Sequence, residues 1–430
     1  MSKTVRCIWE NGICVSCGVC KAVCPCVAIE YTRENGIYRP LINEEKCTNC
    51  GICYELCGSR GINFEAQYKD KTNNISEYEC YFGKSVECLI AETKDERILR
   101  NATSGGVVTT LVKLLLQDNI YDVAFCVNTY NYSNAVETKS IFKDDSINEI
   151  PKSRYVPVLQ TQAIEYILNN RDKKVILIGV SCFVHSIIKM IEHYRLNRDN
   201  YLIIGLFCDK NMSYNIYNYF DEKCDKDLDK LFFRTKESGG YPGNMRLQFT
   251  DGTYMDLQST ERMKVKDFYQ LERCMYCVDK MNQCSDISVG DNYTDEHNSN
   301  LGTSCIIIRS DCGREIWDRY RNDFNSWRVE KDKIWKSQNL DERKKNYYFL
   351  KLKESNDIIV PFTNYADDNC DNYKLEYQKK IESINIGRKN EIGNINRILK
   401  KRESIYRKRI LSIKYFMHEI KKKMKSKFSI

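Results

Sequence analysis

Eight of the ten cysteines in the first 57 residues spell C-x2-C-x2-C-x3-C twice: Cys14, Cys17, Cys20, Cys24, then Cys47, Cys50, Cys53, Cys57. The second run repeats the first at a displacement of 33 residues, and the same shift carries Gly18 onto Gly51, Val19 onto Ile52, Ile29 onto Ile62 and Tyr31 onto Phe64. A whole unit is therefore duplicated, not only its thiols. Eight thiolates suit two four-iron clusters. In paired runs of this kind the first three cysteines hold one cluster and the fourth crosses to the other. Cluster one then takes Cys14, Cys17, Cys20 and Cys57, and cluster two takes Cys47, Cys50, Cys53 and Cys24.

This unit resembles the bacterial two-cluster ferredoxins. Pro25 follows the first run as that pattern has it, whereas Gly58 stands where the second proline would be. Zinc is the rival, since C-x2-C pairs also build structural zinc sites, but it leaves the runs of four and their proline unexplained. Cys7 and Cys26 fall outside the repeat and are not read as ligands. The segments Val27 to Tyr31 and Ile62 to Glu65 are expected to be the edge hairpin strands of this small domain.

The unit spans residues 1–67 of a 430-residue chain, and a hydrophobic content of 42% is ample for further globular cores. Residues 1–11 are polar, with no apolar run behind them to make a signal peptide. The longest apolar runs, Val175 to Val180 and Cys305 to Ile308, are far too short to cross a bilayer. Many free thiols beside cluster ligands point to a reducing cytoplasm without a disulfide framework. The net charge is +8, yet residues 399–430 hold 12 Lys or Arg against two Glu. The body is thus near neutral and only the tail is basic, so the charge argument for nucleic acid does not apply to the body. Within residues 380–430, read as a basic helical tail, Ile410, Ile413, Met417, Ile420, Met424 and Phe428 recur at helical steps. Such a helix either lies on an anionic membrane or an acidic partner, which would place the protein at the membrane periphery, or packs on its own body.

Residues 68–79 read as a polar linker. Beyond them, over 80–345, the pattern is mixed α/β. Strands are expected at Tyr121 to Val127, Lys174 to Val180, Tyr201 to Cys208 and Cys305 to Arg309, with a hairpin at Met245 to Leu257 around Asp251-Gly252. Helices are expected at Val107 to Gln117, Thr161 to Asn169 and Phe183 to Tyr194. The implied architecture is a mixed sheet with helices packed against it, preceded by the small cluster domain and followed by the helical tail.

Thr103-Ser104-Gly105-Gly106 opens an apolar helix, where backbone N–H groups could approach a phosphate or a flavin, or where Ser104 could simply cap the helix. Cys182 sits just past a strand and Cys208 ends the next; each reads either as a buried small hydrophobe or as half of a shared metal site. Cys274 and Cys277 form a further C-x2-C pair, which in a chain already carrying clusters favours metal. His185, His193, His297 and His418 form no ligand pair and read as structural or solvated.

The ordered set Arg100 to Val108 (R-N-A-T-S-G-G-V-V), Ile178 to Cys182 (I-G-V-S-C), Ile204 to Cys208 (I-G-L-F-C), Phe233-Arg234, Cys274-x2-Cys277 and Asp286 to Asp291 (D-I-S-V-G-D) resembles the beta subunits of coenzyme F420 hydrogenases and dehydrogenases. The resemblance implies a flavoprotein in which FAD stands beside a 4Fe-4S cluster. It implies that Thr103, Ser104, Gly105, Gly106 and Arg234 lie against FAD, and that Cys182, Cys208, Cys274 and Cys277 hold a third cluster. Cys284, only seven residues after Cys277, competes for one place by its spacing, though the resemblance puts no ligand there. Family members commonly show Thr-Pro-Cys-Gln where this chain has Val180-Ser181-Cys182-Phe183.

These readings lead to an oxidoreductase fed by ferredoxin or another redox subunit and passing electrons to a small two-electron acceptor, coenzyme F420 or another compound. Clusters move single electrons, so a flavin is needed where the acceptor takes two. The alternative is an electron-relay subunit of a larger redox complex, without turnover of its own.

Overall fold

The structure is a computed structural model and describes residues 3–67, 76–127, 136–147, 152–362 and 370–406. In the N-terminal unit, strands β1 (Ile29–Glu34) and β2 (Ile37–Ile42) form an antiparallel hairpin. The main sheet begins with β3 (Glu87–Thr93), β4 (Val123–Val127), β5 (Thr138–Ile141), β6 (Val175–Val180) and β7 (Tyr201–Leu206). A separate antiparallel sheet of β8 (Leu228–Thr235), β9 (Asn244–Phe249) and β10 (Tyr254–Leu257) interrupts it. The main sheet is then completed by β11 (Ile287–Asp291), β12 (Ser304–Ile308) and β13 (Phe324–Arg328).

The order of the eight strands is β13-β3-β12-β11-β7-β6-β4-β5. Strands β4, β6, β7 and β11 are parallel, while β12 runs antiparallel to both β11 and β3. It follows that β3, β11, β7, β6 and β4 all bring their carboxyl ends to one edge, the edge at which such sheets bind ligands.

Alternation along the strands covers both faces. Ile176, Leu202, Ile204, Ile287 and Ile306 pack under the helices Val107–Gln117 and Asp311–Tyr320. Val175, Leu177, Tyr201 and Ile203 pack under Thr161–Asn169 and Ser181–Tyr194. Burial on both faces explains why the central strands read as unbroken apolar runs. The cluster-bearing unit is seated in these cores: Val19, Val23 and Leu56 join the core under Ser181–Tyr194, and Val5 and Ile8 join one with Tyr276 and Phe349.

Two expectations are corrected. Strand β1 extends the Val27 to Tyr31 segment, but its partner is β2, joined through Asn35-Gly36 with both residues at positive φ, the hairpin turn that suits twisted strands. Ile62 to Glu65 is not a strand: Phe64–Gln67 is helical. Phe64 is buried against Tyr81, Tyr347 and Phe362, and its N–H donates to the Pro361 carbonyl at 2.8 Å, so tertiary packing fixes this segment and not a strand partner.

Residues 68–75 of the expected linker lie outside the described residues, and its last part is already structured. Ser76 caps the helix Glu77–Tyr81 in a reciprocal capping box with Glu79. Ser76→Ala should weaken this turn by about 0.5–2 kcal/mol, read as faster amide exchange at Cys80 and Tyr81 with the rest of the chain unchanged. The tail's apolar positions from Ile410 onward also lie outside the described residues. Residues 392–406 are helical, and Ile392 and Ile395 are buried in the core of the smaller sheet. Among the described residues no helix is long and apolar enough to cross a membrane.

Candidate functional site

The two cysteine runs fold alike. Ser16 and Asn49 take φ of 52° and 54°, and Gly18 and Gly51 take 84° and 81°, so each pair related by the repeat makes the same left-handed turns. These turns bend the loops around a centre. Cys14, Cys17, Cys20 and Cys57 line one cavity together with Val5, Val19 and Pro40. Burial pushes the Cys14 thiol up to about 12, and the nearby Cys57 adds to that; Cys17 and Cys20 are raised by burial and by Cys57 as well. Burial likewise raises Cys53 to about 11, with Cys24, Cys50 and Cys47 contributing.

Thiols so placed are protonated and inert at neutral pH unless a cationic centre among them stabilises the thiolates. Backbone donors are already aimed at sulfur: Ser16 N–H points to Cys14 Sγ at 3.4 Å, Ala28 N–H to Cys24 Sγ at 3.3 Å and Val5 N–H to Cys53 Sγ at 3.4 Å. This donor set fits iron-sulfur clusters. Among the described residues no three His, Cys, Asp or Glu side chains close on a single ion; a cubane holds its four thiolates farther apart than one zinc with bonds of about 2.3 Å does.

Cys182 lies in the first turn of Ser181–Tyr194, directly after β6, and Cys208 lies two residues past β7. The pairing of Val180 with Leu206 brings these two strand ends level. Cys274 and Cys277 come from the 3-10 turn Glu272–Tyr276 and the residue after it. Burial raises the Cys182 thiol first, and Cys208, Cys17, Cys274 and Cys277 lie near enough to add to that rise. Asn211 N–H donates to Cys274 Sγ at 3.4 Å. Cys284 instead has Asp279, Arg309 and Arg198 as its charged neighbours.

The contact between the N-terminal unit and this second thiol set is direct. A Cβ on Gly58 would overlap the Cys182 carbonyl oxygen and stand 2.6 Å from Ser186 Oγ. Lys189 Nζ donates to the Cys57 carbonyl at 2.8 Å. Gly58 therefore replaces the second proline because the backbone of Ser181–Tyr194 occupies the space a side chain would need.

The Thr103–Gly106 turn docks on the same sheet edge, at the end of β3. Ser104 does not cap the helix; its hydroxyl donates to the Thr303 carbonyl at 2.6 Å, and Gly106 is the N-cap, at φ 73°. Gly105 N–H donates to Ser304 Oγ at 3.0 Å, and a Cβ on Gly105 would overlap the Ala91 carbonyl oxygen. Gly105 is thus required by backbone packing, and Gly106 by its left-handed φ and the Thr93 methyl beside it. Thr103 Oγ1 accepts from the Ser153 N–H at 3.0 Å. Arg234, at the end of β8, donates to Asp291 at 2.6 Å, to the Pro242 carbonyl at 2.7 Å and to the Thr103 carbonyl at 3.2 Å. It anchors the turn to the carboxyl end of β11.

Comparison with known proteins follows the same division of the chain. The model "Coenzyme F420 hydrogenase/dehydrogenase, beta subunit N-term" matches residues 88–165 and its C-terminal counterpart matches 172–331. The chain belongs to this family. A 4Fe-4S binding domain matches residues 40–62, which contain the second cysteine run. The coenzyme F420 hydrogenase subunit beta of Methanosarcina barkeri is 22% identical over 294 residues, 62% of this chain and 94% of that protein. One of the F(420)H(2) dehydrogenase subunits of Methanosarcina mazei is 23% identical, covering 73% of this chain and 84% of its own. A chain in the structure of the F420-reducing NiFe hydrogenase complex from Methanosarcina barkeri aligns at a TM-score of 0.48 with 21% identity, over 62% of this chain and 91% of that one.

Within this family fold, sequence reasoning missed Lys236. Its Nζ donates to the Leu99 and Ser104 carbonyls, both at 2.8 Å, and burial lowers it to about 8, with Arg234 and Lys152 as the cations beside it. Alternation along β8 and its exit could have flagged it, but only the tertiary contact with Ser104 shows what it holds. His185 is buried and pairs with Asp279 at 3.0 Å; burial pushes its pKa down.

Proposed function

We propose that this iron-sulfur family member is a flavoprotein oxidoreductase, passing electrons from the two N-terminal clusters through a third cluster and FAD to a small two-electron acceptor. One observation carries the reading: the order of groups along a single sheet edge. Gly58 and Cys17 abut Cys182 at the end of β6, Cys208 follows at β7, Asp291 at β11, and the Thr103–Gly106 turn at β3. Adjacent strands are about 4.8 Å apart, so Cys182, Cys208 and Asp291 stand on successive strands, while β12 separates β11 from β3 and Arg234 spans that gap from Asp291 to the Thr103 carbonyl.

The residues divide the work. Cys182, Cys208, Cys274 and Cys277 offer four thiolates from three segments, the number a cubane needs. Arg234, Lys236 and Lys152 gather positive charge beside the turn, which suits the pyrophosphate of a dinucleotide. Bound there, a flavin would join one-electron to two-electron transfer. The relay alternative has its own support, because two of the chain's relatives are subunits of a hydrogenase and a dehydrogenase; it implies a partner redox subunit, which the enzyme reading also accommodates.

Anaerobic reconstitution of the full chain, followed by iron and flavin counts and titration with reduced ferredoxin and a panel of acceptors including coenzyme F420, tests the proposal. Turnover of an acceptor by the isolated protein supports the enzyme; reduction of every centre without turnover supports the relay. Lys236→Ala should weaken flavin binding about tenfold or more, the loss expected for charge-assisted contacts of about 1.5–3 kcal/mol. Iron content should not change. Flavin retained at parental affinity would remove Lys236 from the site.

A further inference from the structure

Arg343 lies beyond residue 331, where the family match ends, yet it reaches the second thiol set. Arg343 is 7% exposed. Nη2 donates to the carbonyl oxygens of Cys208 at 3.1 Å and Asp209 at 2.7 Å and to Asp209 Oδ1 at 2.9 Å, while Nη1 donates to the Cys277 carbonyl at 3.4 Å. Three residues on, and so on the same face of the chain, Asn346 donates to the Cys274 and Cys277 carbonyls at 3.3 and 2.7 Å. One short stretch thereby holds the backbone of Cys208, Cys274 and Cys277.

The same stretch continues to the N-terminal unit. Asp357 accepts from Lys3 Nζ and from the Tyr54 hydroxyl, both at 2.6 Å, and Ile359 N–H donates to the Arg60 carbonyl at 2.6 Å. Residues 340–362 are therefore a strap tied at one end to the thiol set and at the other to the loops beside the first two clusters.

Position gives Arg343 an electrostatic role as well. A guanidinium cannot lose its proton in a protein, and a buried charge is screened far less than an exposed one. Its carboxylate partner among the described residues, Asp209, directly follows Cys208. A cluster gains negative charge on reduction, so a nearby cation favours the reduced form and a nearby carboxylate the oxidised form.

We propose that Arg343 and Asp209 are a charge pair that sets the reduction potential of the third cluster, Arg343 raising it and Asp209 lowering it. The pair rests on the third-cluster reading. Arg343 is a positioning residue: it touches the ligands' backbone and not the cluster.

The test is a potentiometric titration followed by electron paramagnetic resonance on the reconstituted full chain, with iron counted in every sample. The parent should hold about twelve iron atoms. In Arg343→Gln the third signal's midpoint should fall by about a tenfold change in the reduction equilibrium, about 59 mV for a one-electron couple. Asp209→Asn should move it upward, and Arg343→Lys, which keeps the charge, should stay near the parent. The two N-terminal signals should not move. Midpoints that stay put, or that shift the same way in Arg343→Gln and Asp209→Asn, overturn the pair; so does Arg343→Lys behaving like Arg343→Gln. Should Arg343→Gln lose iron, Asp209→Asn alone decides, its upward shift supporting the pair and no shift overturning it. A parent near eight iron atoms fails differently, by removing the third cluster itself.

Discussion

Cys277→Ala should lower the iron content from about twelve to about eight atoms per chain and stop electron flow from the N-terminal clusters to the flavin. Cys277 is one of the four thiols proposed to hold the third cluster, and Cys208, Cys17, Cys274 and Cys277 all lie near enough to raise the Cys182 thiol. The signals of the two N-terminal clusters should persist, because their thiols form separate crossed sets. Iron and acid-labile sulfide counts, with resonance spectra of the reduced protein, check this. Iron unchanged in the variant, or near eight in the parent, would sink the third cluster and the wiring through it.

Gly58→Ala is expected to damage the junction between the two cluster regions. The added methyl would overlap the Cys182 carbonyl oxygen and press on Ser186, both fixed in the first turns of Ser181–Tyr194. A backbone carbonyl cannot swing aside as a flexible side chain can, so the N-terminal unit must move. Overpacking of this kind costs about 1–3 kcal/mol, seen as a lower melting temperature. Rapid-freeze spectra should then show the first two clusters reduced by ferredoxin while the third lags. A variant with the parent's melting temperature and transfer rate would mean that this contact is not what couples the two regions.

Much of the fold was legible because its signals are local. The expected helices Val107 to Gln117 and Thr161 to Asn169 have the bounds observed, and the hairpin around Asp251-Gly252 is present as β9 and β10. Strongly apolar runs bounded by polar turns declare themselves as β6, β7 and β12. Ile62 to Glu65 misled, because a short apolar segment is strand or helix according to what it packs on, and its partners, Tyr347 and Phe362, are almost three hundred residues away. Ser104 misled for a similar reason: its hydroxyl prefers the Thr303 carbonyl, supplied by a distant strand, to the helix it precedes.

The sequence by itself determined the duplicated cysteine unit, its crossed sets of thiols, the mixed α/β body and the family, since spacing and periodicity are properties of neighbours along the chain. Tertiary structure alone decided the order of groups along the sheet edge, the reason Gly58 must be glycine, and the parts played by Lys236 and Arg343. Those depend on strand order and on which backbone carbonyls a buried cation can reach, and chain folding brings such partners together across separations that no local pattern encodes.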